Sequence, residues 1–546
     1  MRFLHFPLLL LLLTPVVVKG QQAAFTHDDT LRGSITPERA WWDLTFYHLN
    51  VRVHTNDSTL SGSTTIRYRV LKPGRTMQVD LQRPLRVISV EQDGKPLNVR
   101  QDGNAYFVTL IKDQKPGQTE SIRVVYAGKP RVAKRPPWDG GLVWSRDKRG
   151  EWFIATACQG LGASAWWPCK DHMYDEPDSM AISVTVPENL MDVSNGQLRR
   201  VTTNTDHTRT FDWYVSNPIN NYGVNLNIGR YEHWSETYAG AKGPLPVDYY
   251  ALTEHVDSAR TQFRQVPLML KAFEHWFGPY PFYEDGYKLV DTPYLGMEHQ
   301  SSVTYGNGFR NGYLGRDLSK TGWGLLWDFI IVHESGHEWF ANNITYKDVA
   351  DMWIHESFTN YSENLFTEYY YGKDAGAQYV IGCRANIRND SPIIGTYNVN
   401  QSGSVDMYYK GGNMLHMIRQ LVGDDERWRQ ILRGMNKTFY HQTVTTSQIE
   451  QYMIRETGKD LKPIFDQYLR DIRIPVLEYR TVANGVQYRW ANCIAGFDMP
   501  VQVCLNEAGP FESLNPTERW QTLANKKITT LTPDANYYVL SKRVSR

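Results

Sequence analysis

Two histidines four residues apart in His333-Glu334-Ser335-Gly336-His337, followed by Glu356 with eighteen residues between it and His337, constrain this chain more than any other feature. On a helix, residues i and i+4 share one face, so the two imidazoles converge. Residues 323–332 contain Leu325, Leu326, Trp327, Phe329, Ile330, Ile331 and Val332 without proline, which predicts a buried helix leading into the motif. Asn342, Asn343 and Asp348 predict a loop that reverses the chain; residues 352–371 then read as a second helix, stopped by Gly372, with Glu356 near its start. Two neutral imidazoles and a carboxylate are the donor set of a catalytic zinc ion, which takes three protein ligands and keeps one position open. One Zn2+ per chain, held by His333, His337 and Glu356, is therefore expected, although other divalent ions accept the same donors. The bland alternative is a pair of core histidines with a helix-start carboxylate favoured by the dipole, and the joint spacing weighs against it.

This arrangement is the gluzincin pattern, and three further segments resemble the M1 family of zinc aminopeptidases, the group that includes aminopeptidase N and leukotriene A4 hydrolase. Gly296-Met297-Glu298-His299-Gln300 resembles the family's GxMEN signature, Tyr408-Tyr409-Lys410-Gly411 its Y-x-K-G element, and Gln159 through Asp171 its Q-x-x-x-A-x-x-x-x-P-C-x-D segment. The motifs span residues 156–411 in the family's order. The chain departs from the pattern at His299, where most members have asparagine, at His355 and Ser357 around Glu356, and at Ala341, where glycine is usual. None of these positions is an expected ligand or the expected base.

The chemistry follows from residue types. A zinc-activated water needs a base, and Glu334, adjacent to a ligand, is placed to take its proton and pass it to the leaving amine. The resemblance implies that the Tyr408 phenol stabilises the oxyanion, with Tyr409 the adjacent alternative. It also implies that Glu298 pairs with the substrate's α-ammonium, that Gln159 adds amide contacts near that end, and that Gly296 and Met297 belong to a strand along which the peptide lies. Glycine at 296 would let the substrate backbone come close.

The formal charge is +1, from 59 basic and 58 acidic residues without a long run of either sign, so no nucleic-acid footprint is present. Peptides with a free N-terminus are the expected partners. Arg2 and His5 precede an apolar stretch over residues 6–18, and Gly20 offers a cleavage point, as in a secretory signal peptide. A secreted or periplasmic protein with no membrane span in the mature chain is expected, an uncleaved anchor being the alternative. Of five cysteines, Cys158 with Cys169 and Cys493 with Cys504 stand at spacings open to bridging; five buried thiols are the plain alternative.

Alternation at Leu49, Val51 and Val53 and at Ile66, Tyr68 and Val70, with turns at Asp93-Gly94 and Asp102-Gly103, predicts strands from about residue 25 to 232. Helical patterning follows beyond Trp234, including one helix over 258–276, and helix continues from about 417 to 471. Strand patterning returns from Pro475, with a turn at Asn484-Gly485. The expected fold is multidomain α+β: signal peptide 1–20, an N-terminal β-sheet saddle over 21–233, a thermolysin-like, mostly helical catalytic domain over 234–475, and a small C-terminal β domain over 476–546. The saddle and the thermolysin-like domain are what the resemblance implies. In many members a large helical domain occupies or follows the place of the last of these; the sequence leaves the oligomeric state open, a second subunit over the cleft being one option.

The expected function is a secreted zinc-dependent aminopeptidase, a hydrolase removing N-terminal residues from peptides. Endopeptidase or epoxide hydrolase chemistry on the same scaffold, and a binding protein without turnover, are the competing readings.

Overall fold

The computed structural model of the protein describes residues 25–506, 509–525 and 527–545; the expected signal peptide lies outside them. The first part is built of sheets. Its largest has eight strands in the order Gln197–Thr203, Thr208–Val215, Ser179–Pro187, Trp42–His54, Thr59–Val70, Thr119–Gly128, Arg86–Gln92 and Lys95–Pro96. The Trp42–His54 strand shows why sequence alternation is legible here: Leu49, Val51 and Val53 are buried and pair with Thr64, Gly62 and Leu60 of the next strand. A register shift between Leu44 and Phe46 changes the parity, so Trp42 and Leu44 upstream and Tyr47 downstream face the same core. Asp93 and Gly94, both at positive φ, close the hairpin in which Gln92 pairs with Lys95.

Strands continue past the expected end at residue 232. Tyr231–Gly240 and Gly243–Leu252 form a hairpin that joins Tyr287–Asp291, Val303–Tyr305 and Gly296–Met297 in a five-stranded sheet. Leu245, Val247 and Tyr249 point from that hairpin into the core of the helical part. Their period-2 spacing marks a strand, which the switch to helix placed at Trp234 overlooked. The helix expected over 258–276 is two, Val256–Gln262 and Gln265–Phe277. Pro267 explains the break, because its ring would clash with the carbonyl of residue 263 in a continuous helix.

The middle part is mainly helical, and its helices pack on the five-stranded sheet around one large core. The expected helical run to about residue 471 is made of Tyr409–Val422, Asp425–Thr438, Thr446–Thr457 and Lys462–Leu469, with a short strand, Gln442–Val444, between the second and third. The chain then returns to sheet in two small units, one of four strands including Val476–Val482 and Gly485–Ala491, the other of three around Val501–Leu505. The architecture is thus α+β, with a sheet-rich N-terminal part, a helical middle and a C-terminal β domain. All five cysteines are free and buried, so neither spacing forms a bridge. Among the described residues no helix is long and apolar enough to cross a membrane.

Candidate active site

The first motif helix is Phe329–Gly336, shorter than the apolar run in front of it. Asp328 ends that run: its carboxylate accepts from the amides of Ile330 and Ile331 and so caps the helix. The preceding Trp323–Leu325 forms a 3-10 turn, and Leu325 and Leu326 are exposed, contrary to the buried helix expected over 323–332. His333 lies in the last turn and His337 caps the C-terminus. The chain then widens into the π-turn Glu338–Asn342, leaves helical geometry at Phe340 and Ala341, and forms the strand Ile344–Tyr346. The predicted reversal is therefore a wide turn and a strand. The second helix, Trp353–Tyr371, closes on Gly372 and carries Glu356 in its first turn.

Close approach of the two helices depends on Gly336. A methyl group there would lie 2.6 Å from Ser362 Oγ and 3.2 Å from Thr359 Cγ2. The crossing brings His333, His337 and Glu356 together, with one potential ligand atom from each within 4.8 Å of the others. Glu356 Oε2 lies 3.8 Å from His333 Nε2 and 3.5 Å from His337 Nε2.

The surrounding partners leave these atoms free for a cation. His333 Nδ1 is 2.8 Å from Glu363 Oε1, and His337 Nδ1 is 3.0 Å from the Phe340 carbonyl and 3.0 Å from Thr359 Oγ1. Carboxylate and carbonyl oxygens accept, so both Nδ1 atoms carry the hydrogen and both Nε2 lone pairs face the cluster. Glu356 Oε2 is buried and no hydrogen-bond donor reaches it. Burial opposes ionisation of Glu356, and without a metal it is protonated His337 and His333 that hold its carboxyl well below the usual range; with both imidazoles neutral that role falls to a bound cation. A buried ionised oxygen without a donor, opposite two oriented imidazoles, fits a zinc ion.

Glu298 and Glu334 stand beside this cluster, each offering an oxygen within 4.8 Å of the other and of a His337 nitrogen. Burial pushes the Glu334 carboxyl up to about 7, opposed by His333 and His337 and assisted by Glu298. Burial likewise raises Glu298. Gln159 Nε2 donates to Glu298 Oε1 at 2.6 Å and to Glu356 Oε1 at 3.0 Å, which ties the amide to both carboxylates. Asn342 Nδ2 donates to the Glu298 carbonyl at 2.9 Å and fixes its backbone.

Tyr408 is the residue before the helix Tyr409–Val422. Its ring lies 6.1 Å from that of His333 at an interplanar angle of 27°. Burial, then Glu356 and Glu298, push its phenol well above the ordinary value. Tyr409 is raised by burial, then by Glu363 and Cys383, so its hydroxyl serves a different neighbourhood. Of the two tyrosines, Tyr408 is the one beside the carboxylates of the site.

Gly296 and Met297 form the expected strand, paired with Tyr305 and Thr304. A Cβ on Gly296 would meet Ile330 Cγ2 at 2.6 Å, the Thr304 carbonyl at 2.9 Å and Glu334 Cγ at 3.4 Å, so what comes close at this glycine is the motif helix. Met297 is buried in the core of the N-terminal sheets. The departures from the family pattern are also internal. His299 Nδ1 sits 3.3 Å from Thr304 Oγ1, and burial drives its pKa down to about 3. His355 Nε2 accepts from the Tyr346 amide, and Ser357 Oγ donates to the Met407 carbonyl at 2.6 Å. Ala341 is fully buried in the π-turn.

Sequence reading missed Glu363. It accepts from His333, from Asn360 Nδ2 at 3.1 Å and from the Tyr379 hydroxyl at 2.7 Å. A signal existed, since Glu363 follows Glu356 by seven residues, two helical turns along one face. Thr359 and Asn360, three and four residues after Glu356, lie on the same face.

Residues 265–468 match the peptidase family M1 domain. Endoplasmic reticulum aminopeptidase 1 of Rattus norvegicus is 24% identical over 73% of this chain and 45% of its own length. Aminopeptidase N of Lactobacillus helveticus is 23% identical over 80% of this chain and 52% of its own. The chain spans about half the length of these curated relatives. Among solved structures, an M1 zinc metallopeptidase from Deinococcus radiodurans superposes with a TM-score of 0.69 at 22% identity, over 80% of this chain and 95% of that one, and shares the fold.

Proposed function

We propose, for a chain whose residues 265–468 match the peptidase family M1 domain, that the protein is an exported zinc-dependent aminopeptidase. The observation that carries this reading is the pairing of two carboxylates with different surroundings beside one candidate metal cluster: Glu334 on the motif helix, and Glu298 held by Gln159. His333, His337 and Glu356 would hold the zinc, which supplies a Lewis acid that polarises the scissile carbonyl and acidifies a water. Glu334 takes the proton of the attacking water and delivers it to the departing amine. Tyr408 donates its O–H to the carbonyl oxygen as negative charge develops there. Glu298 pairs with the α-ammonium and sets the first peptide bond over the cluster, while Gln159 keeps the Glu298 carboxylate turned inward. The apolar stretch over residues 6–18 supports export through a cleaved signal.

The test is to incubate the purified protein with an unblocked peptide of mixed sequence and follow the products by mass spectrometry. Stepwise loss of single N-terminal residues, stopped by a zinc chelator and restored by Zn2+, supports the reading. Internal fragments in place of a ladder would mark an endopeptidase, and an intact peptide in the presence of stoichiometric zinc would remove the proposal.

A further inference from the structure

Gln159 occupies a loop with little of its own to hold it. Glycines at 160 and 162 both lie at positive φ, and within the loop only the amides of Leu161 and Gly162 bond back, to Gln159 and Cys158. Two donors from distant parts of the chain meet at its centre. Arg32 Nη2 donates to the Gly160 carbonyl at 3.1 Å, and Asn400 Nδ2 donates to the same oxygen at 3.2 Å.

Arg32 comes from the short helix His27–Gly33, which Thr26 and Asp29 close in a capping box. The helix is docked against the 399–400 segment. The Asn400 amide donates to the Asp29 carbonyl at 3.1 Å, and a Cβ on Gly33 would overlap the Val399 carbonyl carbon at 2.1 Å. The guanidinium is placed as tightly. Its Nε lies 3.2 Å from Asp171 Oδ2, both side chains being largely buried, and a Cβ on Gly162 would meet Arg32 Nη2 at 2.1 Å and Asp171 Oδ2 at 2.3 Å. Behind it is a cavity of about 30 Å3, room for about one water, lined by Arg32, Gly160, Tyr222, Tyr346 and Asn400 among others.

We propose that Arg32 is a positioning residue: by clamping the Gly160 carbonyl it holds the 159–162 loop in the one arrangement in which Gln159 reaches both Glu298 and Glu356. The helix just beyond the expected signal peptide is thereby part of the wall of the amine end of the cleft. This inference rests on the aminopeptidase reading for its kinetic consequence, though not for the clamp itself. Without Arg32 the Gly160 carbonyl keeps only Asn400, the next carbonyl, of Leu161, is still held by Gln82 Nε2 at 2.8 Å, and Gln159 is no longer held firmly enough to fix the Glu298 carboxylate against the substrate's ammonium. Recognition of the free amine should weaken while Glu334, His333 and His337 keep their places and Glu356 loses only the Gln159 donor on Oε1.

The experiment uses the full mature chain with Arg32→Ala, Arg32→Lys and Asn400→Ala, measured two ways. Hydrogen exchange over residues 158–163 reads the clamp directly, and steady-state kinetics on a free-amine substrate read its effect. Loss of a charged hydrogen bond predicts, for Arg32→Ala, an exchange rate and a KM each raised roughly tenfold, with kcat changed about threefold or less. Arg32→Lys keeps a cation beside Asp171 and should recover part of both effects; Asn400→Ala should show a smaller rise in each. Should Arg32→Ala fail to fold, the lysine and Asn400 variants carry the test. Wild-type exchange and KM in the folded variants would overturn the proposal. A wild-type enzyme without aminopeptidase activity would remove the functional reading, and the exchange data would still decide the clamp.

Discussion

Replacing Glu363 by glutamine should weaken zinc binding about tenfold without unfolding the protein. Glu363 is wholly buried and receives three donors, with His333 Nδ1 at 2.8 Å the shortest route to the candidate ligands. Glutamine keeps the size and leaves one carbonyl oxygen for the imidazole N–H, so geometry survives while the charge is lost. A hydrogen bond to a charged group contributes roughly 1.5–3 kcal/mol and a neutral one roughly 0.5–1.5, a difference of about 1–2 kcal/mol. That corresponds to about five- to thirtyfold in metal affinity, within the range typical of groups that orient a ligating histidine. Thr359→Ala provides the contrast. His337 Nδ1 is 3.0 Å from both Thr359 Oγ1 and the Phe340 carbonyl, so the carbonyl still orients the ring and the loss should stay below about threefold. The assay is competition for Zn2+ against a chelator of known affinity at fixed pH, with urea unfolding of the metal-free proteins as the stability control. Wild-type affinity in Glu363→Gln, or a larger loss in Thr359→Ala than in Glu363→Gln, would refute the reasoning.

Three further outcomes are expected. Gly336→Ala forces a methyl group to within 2.6 Å of Ser362 Oγ and should cost roughly 1–3 kcal/mol in urea unfolding; adding Ser362→Ala should return at least half of that, a non-additivity that a purely local backbone effect would not give. Tyr408→Phe should lower kcat by roughly a hundredfold or more and leave KM nearly unchanged, whereas Tyr409→Phe should have little effect, and equal losses would show that the two phenols are not distinguished as described. Burial lowers the Lys410 pKa to about 8, against an unfolded value of about 10.4, so the folded state releases its proton first. Between those pH values the unfolded chain binds more protons, and the stability of the wild type relative to Lys410→Met should therefore rise with pH, by roughly 3 kcal/mol across the window. A flat difference would contradict that assignment.

The metal-ligand candidates were legible because their spacing is a helical property. Two residues four apart converge on any helix, and Glu356 needs only a second helix crossing the first. The edges of those helices were less legible, because they are fixed by single polar groups. Asp328 caps the motif helix inside an apolar run that by composition continues to Trp323, and Pro267 divides a helix that hydrophobic periodicity alone joins. The hairpin around Trp234 was obscured for a related reason, since Glu232, Ser235, Glu236 and Thr237 are exposed along its first strand and only the second strand alternates cleanly.

What remained hidden in the sequence are contacts between segments far apart along the chain. Arg32 meets Gly160 across 128 residues, and Asn400 meets it across 240. Neither residue stands in a motif, and a lone arginine in a short amphipathic helix is ordinarily a solvated charge. At Gly296 the packing adds a second demand for glycine that the motif alone did not disclose, the close approach of Ile330 and Glu334.

The most direct test of the aminopeptidase reading is the ratio of kcat/KM for a free-amine substrate to that for its N-acetylated twin, measured for the zinc-loaded wild type and for Glu298→Ala. An aminopeptidase that recognises the ammonium through Glu298 gives a wild-type ratio of roughly a hundred or more, collapsing toward one in the variant because the buried carboxylate is the group that reads the charge. A wild-type ratio near one, or a large ratio unaffected by Glu298→Ala, would contradict the assignment of this site to N-terminal recognition.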